Sequence, residues 1–230
     1  MVRSPRRSVF PDPNRATRDG LVAYGDDLTP ELLVDAYSHG IFPWFDDDAQ
    51  PVLWWSPDPR AVMAPAELRV SKSLGKRIRS GAFRVTMDLA FGDVTAACAA
   101  PRADSAGTWI TPRMRICYRQ LHDVGLAHSV EAWHGDALVG GLYGISLGRM
   151  FFGESMFSRV PDASKVALAH LAKQLEAWDF DLIDCQLPTR HLASLGAREV
   201  PRRDFLERVA ANRRLPHRRG RWMFDDNVTG

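Results

Sequence analysis

Cysteine is scarce in this chain. Cys98, Cys117 and Cys185 are the only three in 230 residues, and no two of them show CxxC spacing. An odd, scattered set argues against a disulfide framework or a zinc knuckle and suits a reducing compartment. The seven histidines form no HExxH pair, so no metal-ligating motif is present. No apolar run approaches the roughly 18 residues of a membrane-spanning helix. The Arg-rich N-terminus lacks the apolar segment of a secretory signal. A cytoplasmic protein with no metal and no membrane contact is expected. Net charge is scarce too, with 30 Lys and Arg against 28 Asp and Glu. The total therefore points to no partner, but the distribution is uneven. Arg3, Arg6, Arg7, Arg15 and Arg18 crowd the N-terminus. Lys72, Lys76, Arg77, Arg79 and Arg84 form a second cluster, and Arg213, Arg214, Arg218, Arg219 and Arg221 a third. Such clusters can hold phosphates, and each alone also reads as a solvated face.

The length suits one sizeable core, or one domain with a smaller companion. Thr29 and Pro30 open a helix that Gly40 closes. An aromatic and proline cluster follows, Ile41 to Phe45 and Val52 to Arg60, with three prolines in the nine residues from Pro51 to Pro59. Proline at that density excludes a helix and disfavours a central strand, so the segment reads as a rigid loop. A small N-terminal domain over residues 1–62 and a larger domain over 63–230 are expected. In the larger one, Phe83 to Met87 reads as a strand and residues 88–100 and 112–124 as helices. Ala127 to Trp133, Leu138 to Ile145 and Met150 to Phe157 read as an antiparallel meander. Pro161-Asp162 opens an amphipathic helix with Leu168, Leu171, Ala172, Leu175 and Trp178 on one face. Phe180 to Cys185 reads as a short buried strand and Arg203 to Arg213 as a final helix. A meander, then a helix and another strand, fits an α/β (α+β) fold with an acetyltransferase-like (GNAT) mixed sheet.

Two places carry chemistry. In Phe151-Phe152-Gly153-Glu154-Ser155-Met156-Phe157-Ser158 a carboxylate stands inside buried strand. Glu is almost never fully buried unpaired, so Glu154 is either half of a structural ion pair or the floor of a polar site. In Leu182-Ile183-Asp184-Cys185-Gln186, alternation places Asp184 and Gln186 on one face and Cys185 on the other. An acid and an amide on one face at a strand's end form a polar site if Glu154 converges on them, and a local cap or pair if it does not.

Six segments occur together. They are Leu28 to Arg60 (LTPELL...AYSHGIFPWF...LWWSPDPR), Trp109-Ile110-Thr111-Pro112, Leu126 to Trp133 with Gly140-Gly141-Leu142-Tyr143-Gly144, the FGESMFS run, Asp162-Ala163-Ser164-Lys165, and LIDCQ. In this collinear order, over residues from about 20 to 206, they resemble the leucyl/phenylalanyl-tRNA–protein transferases. The resemblance implies a small N-terminal domain joined to a GNAT-like domain. It implies transfer of Leu, Phe or less readily Met from aminoacyl-tRNA to the N-terminal Arg or Lys of an acceptor protein, marking it for N-end rule degradation. It assigns Asp184 and Gln186 to amine activation, with Glu154 in the same pocket. It places the donor side chain among Leu142, Phe151, Leu168, Leu171 and Ile183, and the terminal adenosine of tRNA on Trp44 and Trp109. Lys72, Lys76, Arg77 and Arg79 are assigned to tRNA phosphates.

The chemistry agrees with these implications. The donor is already an ester, so no cofactor is expected, in keeping with the lack of a phosphate loop or a Ser-His-Asp signature. A free α-amine has an unperturbed pKa of about 7.7–8.0, so a mild base and good positioning suffice. Two alternatives stay open. One is an acyl-CoA-dependent GNAT N-acyltransferase, which would hold pyrophosphate at a glycine-rich turn; Met156 to Lys165 contains no glycine. The other is a non-enzymatic RNA-binding module, which leaves Glu154, Asp184 and Gln186 without a role. A monomer is expected.

Overall fold

The first helix starts as its residues demand. The Thr29 hydroxyl accepts the Leu32 N–H at 3.2 Å, and Pro30 takes the first helical position, where no donor is needed. This is α1 (Pro30–Tyr37). The chain then turns at Gly40, whose φ of +73° belongs to the left-handed region that favours glycine. The structure, a computed structural model, describes residues 8–101 and 108–226. Arg3, Arg6 and Arg7 of the N-terminal basic cluster lie outside the described residues.

Two sheets organise the molecule. Strands β1 (Leu21–Gly25), β2 (Phe42–Pro43) and β3 (Val52–Trp55) form a small antiparallel sheet with β3 in the middle. Here the expectation of a rigid loop needs correction, because the proline-rich run contains β3 and leads into β4 (Arg60–Met63). Pro51 precedes β3, and Pro57 and Pro59 occupy the link between the strands, so no ladder loses a donor. Pro43 lies in an edge strand, where its missing N–H costs nothing.

The large sheet contains β4, β5 (Arg84–Met87), β6 (Ala127–His134), β7 (Ala137–Leu147), β8 (Met150–Ser158), β9 (Leu182–Gln186) and β10 (Arg198–Val200). Their order is β10-β4-β9-β8-β7-β6-β5, antiparallel throughout except for the parallel pair β8–β9. The fold is therefore mixed α/β. The expected meander is β6–β8. The boundary expected at residue 62 falls within β4, between β9 and β10 in this sheet.

Helices cover both faces of the sheet: α2 (Lys72–Arg79), α3 (Phe91–Ala99), α4 (Pro112–Asp123), α5 (Ala163–Ala177), α6 (Arg190–Ser194) and α7 (Arg202–Asn212). On one face, Leu33 and Tyr37 of α1, Val94 of α3, Tyr118 of α4 and Phe205 of α7 pack with Tyr143 and Phe152. On the other, Val166, Leu171 and Leu175 of α5 pack with Phe151, Ile183 and Trp222. The N-terminus of α3 has no capping side chain of its own. Glu131 of β6 supplies the anion instead, accepting the Leu89 and Ala90 N–H groups at 3.4 Å.

Candidate active site

The parallel ladder between β8 and β9 is short. It pairs Met150 to Phe152 with Leu182 to Asp184 and then stops, while β8 runs on beside β7. A cavity of about 330 Å³ opens where the two strands part. Both strands carry a bulge at that point. Along β8, Ser155 pairs with Tyr143 and Gly153 with Gly144, so Glu154 is the extra residue. Along β9, Asp184 and Gln186 face Val62 and Ala61, leaving Cys185 extra. A bulge re-aims side chains out of strict alternation. Gln186 has φ of +61°, a strained choice for a residue with a Cβ. Asp184, Cys185 and Gln186 consequently all line the cavity, so the two faces expected from alternation are not kept apart.

Asp184 is fully buried and meets a cation. Arg60, also without exposed surface, grips it from both sides, Nε to Oδ1 at 2.8 Å and Nη2 to Oδ2 at 2.7 Å. The guanidinium lies between the rings of Phe42 (4.8 Å) and Phe205 (4.5 Å), and its Nη1 donates to the Gly40 carbonyl at 3.3 Å. Planar donors and stacked faces are what Arg offers and Lys does not. Asp184 Oδ1 also accepts the main-chain N–H of Gln186 at 3.0 Å, which braces its strained turn.

Among the described residues, no cation forms an ion pair with Glu154. Its Oε1 accepts the Tyr37 hydroxyl at 2.7 Å and the Gln186 Nε2 at 3.0 Å, and its Oε2 accepts the Tyr118 hydroxyl at 2.7 Å. The two hydroxyls lie 2.6 Å apart. Burial drives its carboxyl up from 4.5 to about 7, with the nearby Asp184 charge adding to the rise while the Tyr118 and Tyr37 hydroxyls and Arg60 oppose it. The same burial, next to Glu154, pushes the Tyr37 and Tyr118 hydroxyls well above their ordinary value. Gln186 commits its Nε2 to Glu154, and no donor among the described residues meets its carbonyl oxygen.

The rest of the lining is largely apolar. Leu142, Phe151, Leu168 and Ile183 line the cavity, and so do Trp44 and Trp109. Trp44 is 40% exposed, and its carbonyl accepts the Trp55 indole N–H at 2.9 Å. Leu171 does not line the cavity and is buried in the core beneath α5. Lys72, Lys76, Arg77 and Arg79 sit on α2 and form no part of the lining either. Lys72, Lys76 and Arg79 are exposed, and Arg77 covers the Phe83 ring at 5.3 Å.

Several residues at the site were not anticipated. Arg60 stood in the quoted SPDPR run without a role, although a buried Asp184 calls for a cation. Tyr118 lies at core spacing from Met114 and Leu121, and Tyr37 beside Ala36, so both read as packing. Met63, Thr189 and His191 also line the cavity, the last two through α6 and its cap, which has no periodic signal.

An α/β protein with a buried acid–amide cluster at the foot of an apolar cavity is built to hold an apolar group beside a reacting polar one. The comparisons identify the class. The model described as leucyl/phenylalanyl-tRNA protein transferase matches residues 62–210, and that of its N-terminal domain matches residues 26–58. A leucyl/phenylalanyl-tRNA–protein transferase of Thiobacillus denitrificans is 56% identical over 221 residues, covering 96% of this chain and 94% of that one. Its counterpart in Nitrosospira multiformis is 55% identical, covering 95% and 94%. The chain belongs to the leucyl/phenylalanyl-tRNA–protein transferase family and is an aminoacyltransferase. Among solved structures, a GCN5-related N-acetyltransferase from Kribbella flavida matches with a TM-score of 0.39 and 12% identity, over 75% of this chain and 61% of that one.

Proposed function

We propose that this chain transfers Leu or Phe, and less readily Met, from aminoacyl-tRNA to the N-terminal Arg or Lys of acceptor proteins in the cytoplasm, marking them for N-end rule degradation. The observation that carries the reading is one cavity with an apolar end at Leu142, Phe151, Leu168 and Ile183 and a polar end at Glu154 and Gln186. The donor side chain occupies the apolar end. Trp44 and Trp109 offer π-faces to the terminal adenine. Lys72, Lys76 and Arg79 on α2 hold tRNA phosphates.

In the reaction the acceptor's neutral α-amine attacks the ester carbonyl carbon. The C–N bond forms, the bond to the ribose oxygen breaks, and that oxygen leaves with the proton the amine gives up. Gln186 receives the amine N–H on its carbonyl oxygen and so sets the angle of attack. Asp184 and Arg60 hold the turn that presents it. Because Asp184 is spent on Arg60, Glu154 supplies the acidic character that favours a basic acceptor.

Transfer of labelled Leu or Phe to a peptide beginning with Arg, with an Ala-beginning control, tests the activity. In single-turnover assays with substrate bound, Gln186→Ala and Asp184→Ala should each lower the rate by about 10²-fold or more. Near-normal rates in both would overturn the assignment. Undiminished preference for Arg over Ala in Glu154→Gln would remove Glu154 from acceptor choice.

A further inference from the structure

Between residue 210, where the match to the family model ends, and Asp226 the chain does not trail away. After α7 it runs as an irregular strap past the ends of strands β5 to β8 and is tied down at several points. His217 Nδ1 accepts the Gly148 N–H at 2.9 Å, in the turn between β7 and β8. Gly220 passes so close to Gly125 that a Cβ on the latter would collide with the Gly220 nitrogen. The Trp222 N–H donates to Asp88 Oδ2 at 2.7 Å, and the same oxygen holds His128 Nδ1 at 2.8 Å. Asp225 closes the strap on α5. Its N–H donates to Gln174 at 2.7 Å, and its carboxylate accepts both Gln174 Nε2 and Trp178 Nε1 at 2.8 Å.

All of this presents one side chain. Trp222 is 2% exposed and stacks on His128 with ring centroids 3.7 Å apart. Burial lowers the pKa of His128, which favours the neutral ring that a stacked, desolvated position requires. Trp178 and Phe180 meet the indole edge to face at 5.0 and 5.9 Å. The indole N–H donates to the Arg218 carbonyl at 3.2 Å, and a further ring contact is Phe151, at 6.1 Å and tilted by 37°. Phe151 lines the cavity. Trp222 therefore stands directly behind a wall of the apolar end. In a close-packed interior a ring cannot retreat unless the group behind it yields.

We propose that the segment from Leu215 to Asp225 is the outer layer of the aminoacyl pocket, and that Trp222, acting through Phe151, is a positioning residue that sets which donor side chain the pocket accepts. This rests on the reading of the cavity as the aminoacyl site. Without the indole, Phe151 can swing outward and the pocket deepens, which favours the longer Phe side chain over Leu.

The test measures kcat/KM for Phe-tRNA and Leu-tRNA with one Arg-beginning peptide, using the full chain. Trp222→Ala should raise the Phe-to-Leu ratio about tenfold, in the range a pocket gains from one or two extra methylenes. The change should lie in the donor KM, leave the peptide KM unaltered, and revert to within about twofold in Trp222→Phe. Asp225→Ala, which unties the strap without emptying the core, should move the ratio the same way by less, and stands in if Trp222→Ala does not fold. Phe151→Leu reports on the cavity itself. A shift in Phe151→Leu with none in Trp222→Ala or Asp225→Ala, or a uniform fall for both donors, overturns the role of the strap alone. An unchanged ratio in Phe151→Leu and Trp222→Ala together overturns the aminoacyl reading and this proposal with it.

Discussion

Two carboxylates share one cavity and have opposite surroundings. Asp184 meets a guanidinium through two charge-assisted bonds, and that guanidinium is itself stacked between Phe42 and Phe205. Glu154 is also buried but meets two tyrosine hydroxyls and a neutral amide. Neutral donors stabilise a carboxylate without cancelling its charge, so burial prevails and its pKa rises to about 7. The Arg60 side is scaffold and the tyrosine side is responsive. A group that changes protonation near neutral pH can follow a substrate amine whose own pKa lies at about 7.7–8.0.

The largest effect should come from removing the cation. Arg60→Ala strands a buried carboxylate, and urea unfolding should show a loss of about 3–5 kcal/mol. The double variant Arg60→Met with Asp184→Leu should be much more stable than Arg60→Ala, because the pair is removed together and Asp184 is not left buried without its cation. If Arg60→Ala unfolds like the wild type, the contrast between the two sides disappears.

The next effect is on the pH dependence of stability. The unfolded chain releases the Glu154 proton near 4.5, and the folded chain holds it to about 7. Between those values the folded state binds more protons. The contribution of Glu154 is therefore fully present below about pH 4.5 and is lost as pH rises to about 7. From about pH 4.5 to about pH 8 the wild type should lose ~3 kcal/mol relative to Glu154→Gln, read from urea midpoints. Parallel curves for the two proteins would mean that Glu154 titrates as an ordinary surface acid.

The smallest effect sharpens the contrast from within. Tyr118→Phe removes a hydroxyl that lowers the Glu154 pKa, so the pH dependence should move upward. Stability above neutral pH should fall by about 2 kcal/mol, the scale of a hydrogen bond to a charged group. Tyr118→Phe with an unmoved pH profile would show that the hydroxyl does not hold the carboxylate.

Much of this site was legible residue by residue. Glu154, Asp184 and Gln186 stand out because an acid or amide inside apolar strand text needs a reason. Trp44, Trp109, Leu142, Phe151, Leu168 and Ile183 line the cavity, whereas Leu171 shares the apolar character of most of them and lies in the core. Apolar spacing on a helix defines the buried face. It does not say which residue of that face ends at a wall and which at a void. The proline-rich run misled for a related reason. Proline count alone reads as loop, while the positions of Pro51, Pro57 and Pro59 between ladders allow β3 and β4.

The sequence by itself determined the class of fold, the meander, the α5 helix and the identity of the acids, because periodicity, capping and buried charge are local properties. Only the tertiary structure decided what those acids meet. Arg60 lies 124 residues from Asp184, and Tyr37 lies 117 residues from Glu154. The bulges at Glu154 and Cys185 exist only in the register of strand against strand. Partners so distant in the chain meet only when the sheet forms. The protonation of a buried carboxylate is set by those partners rather than by its neighbours in sequence.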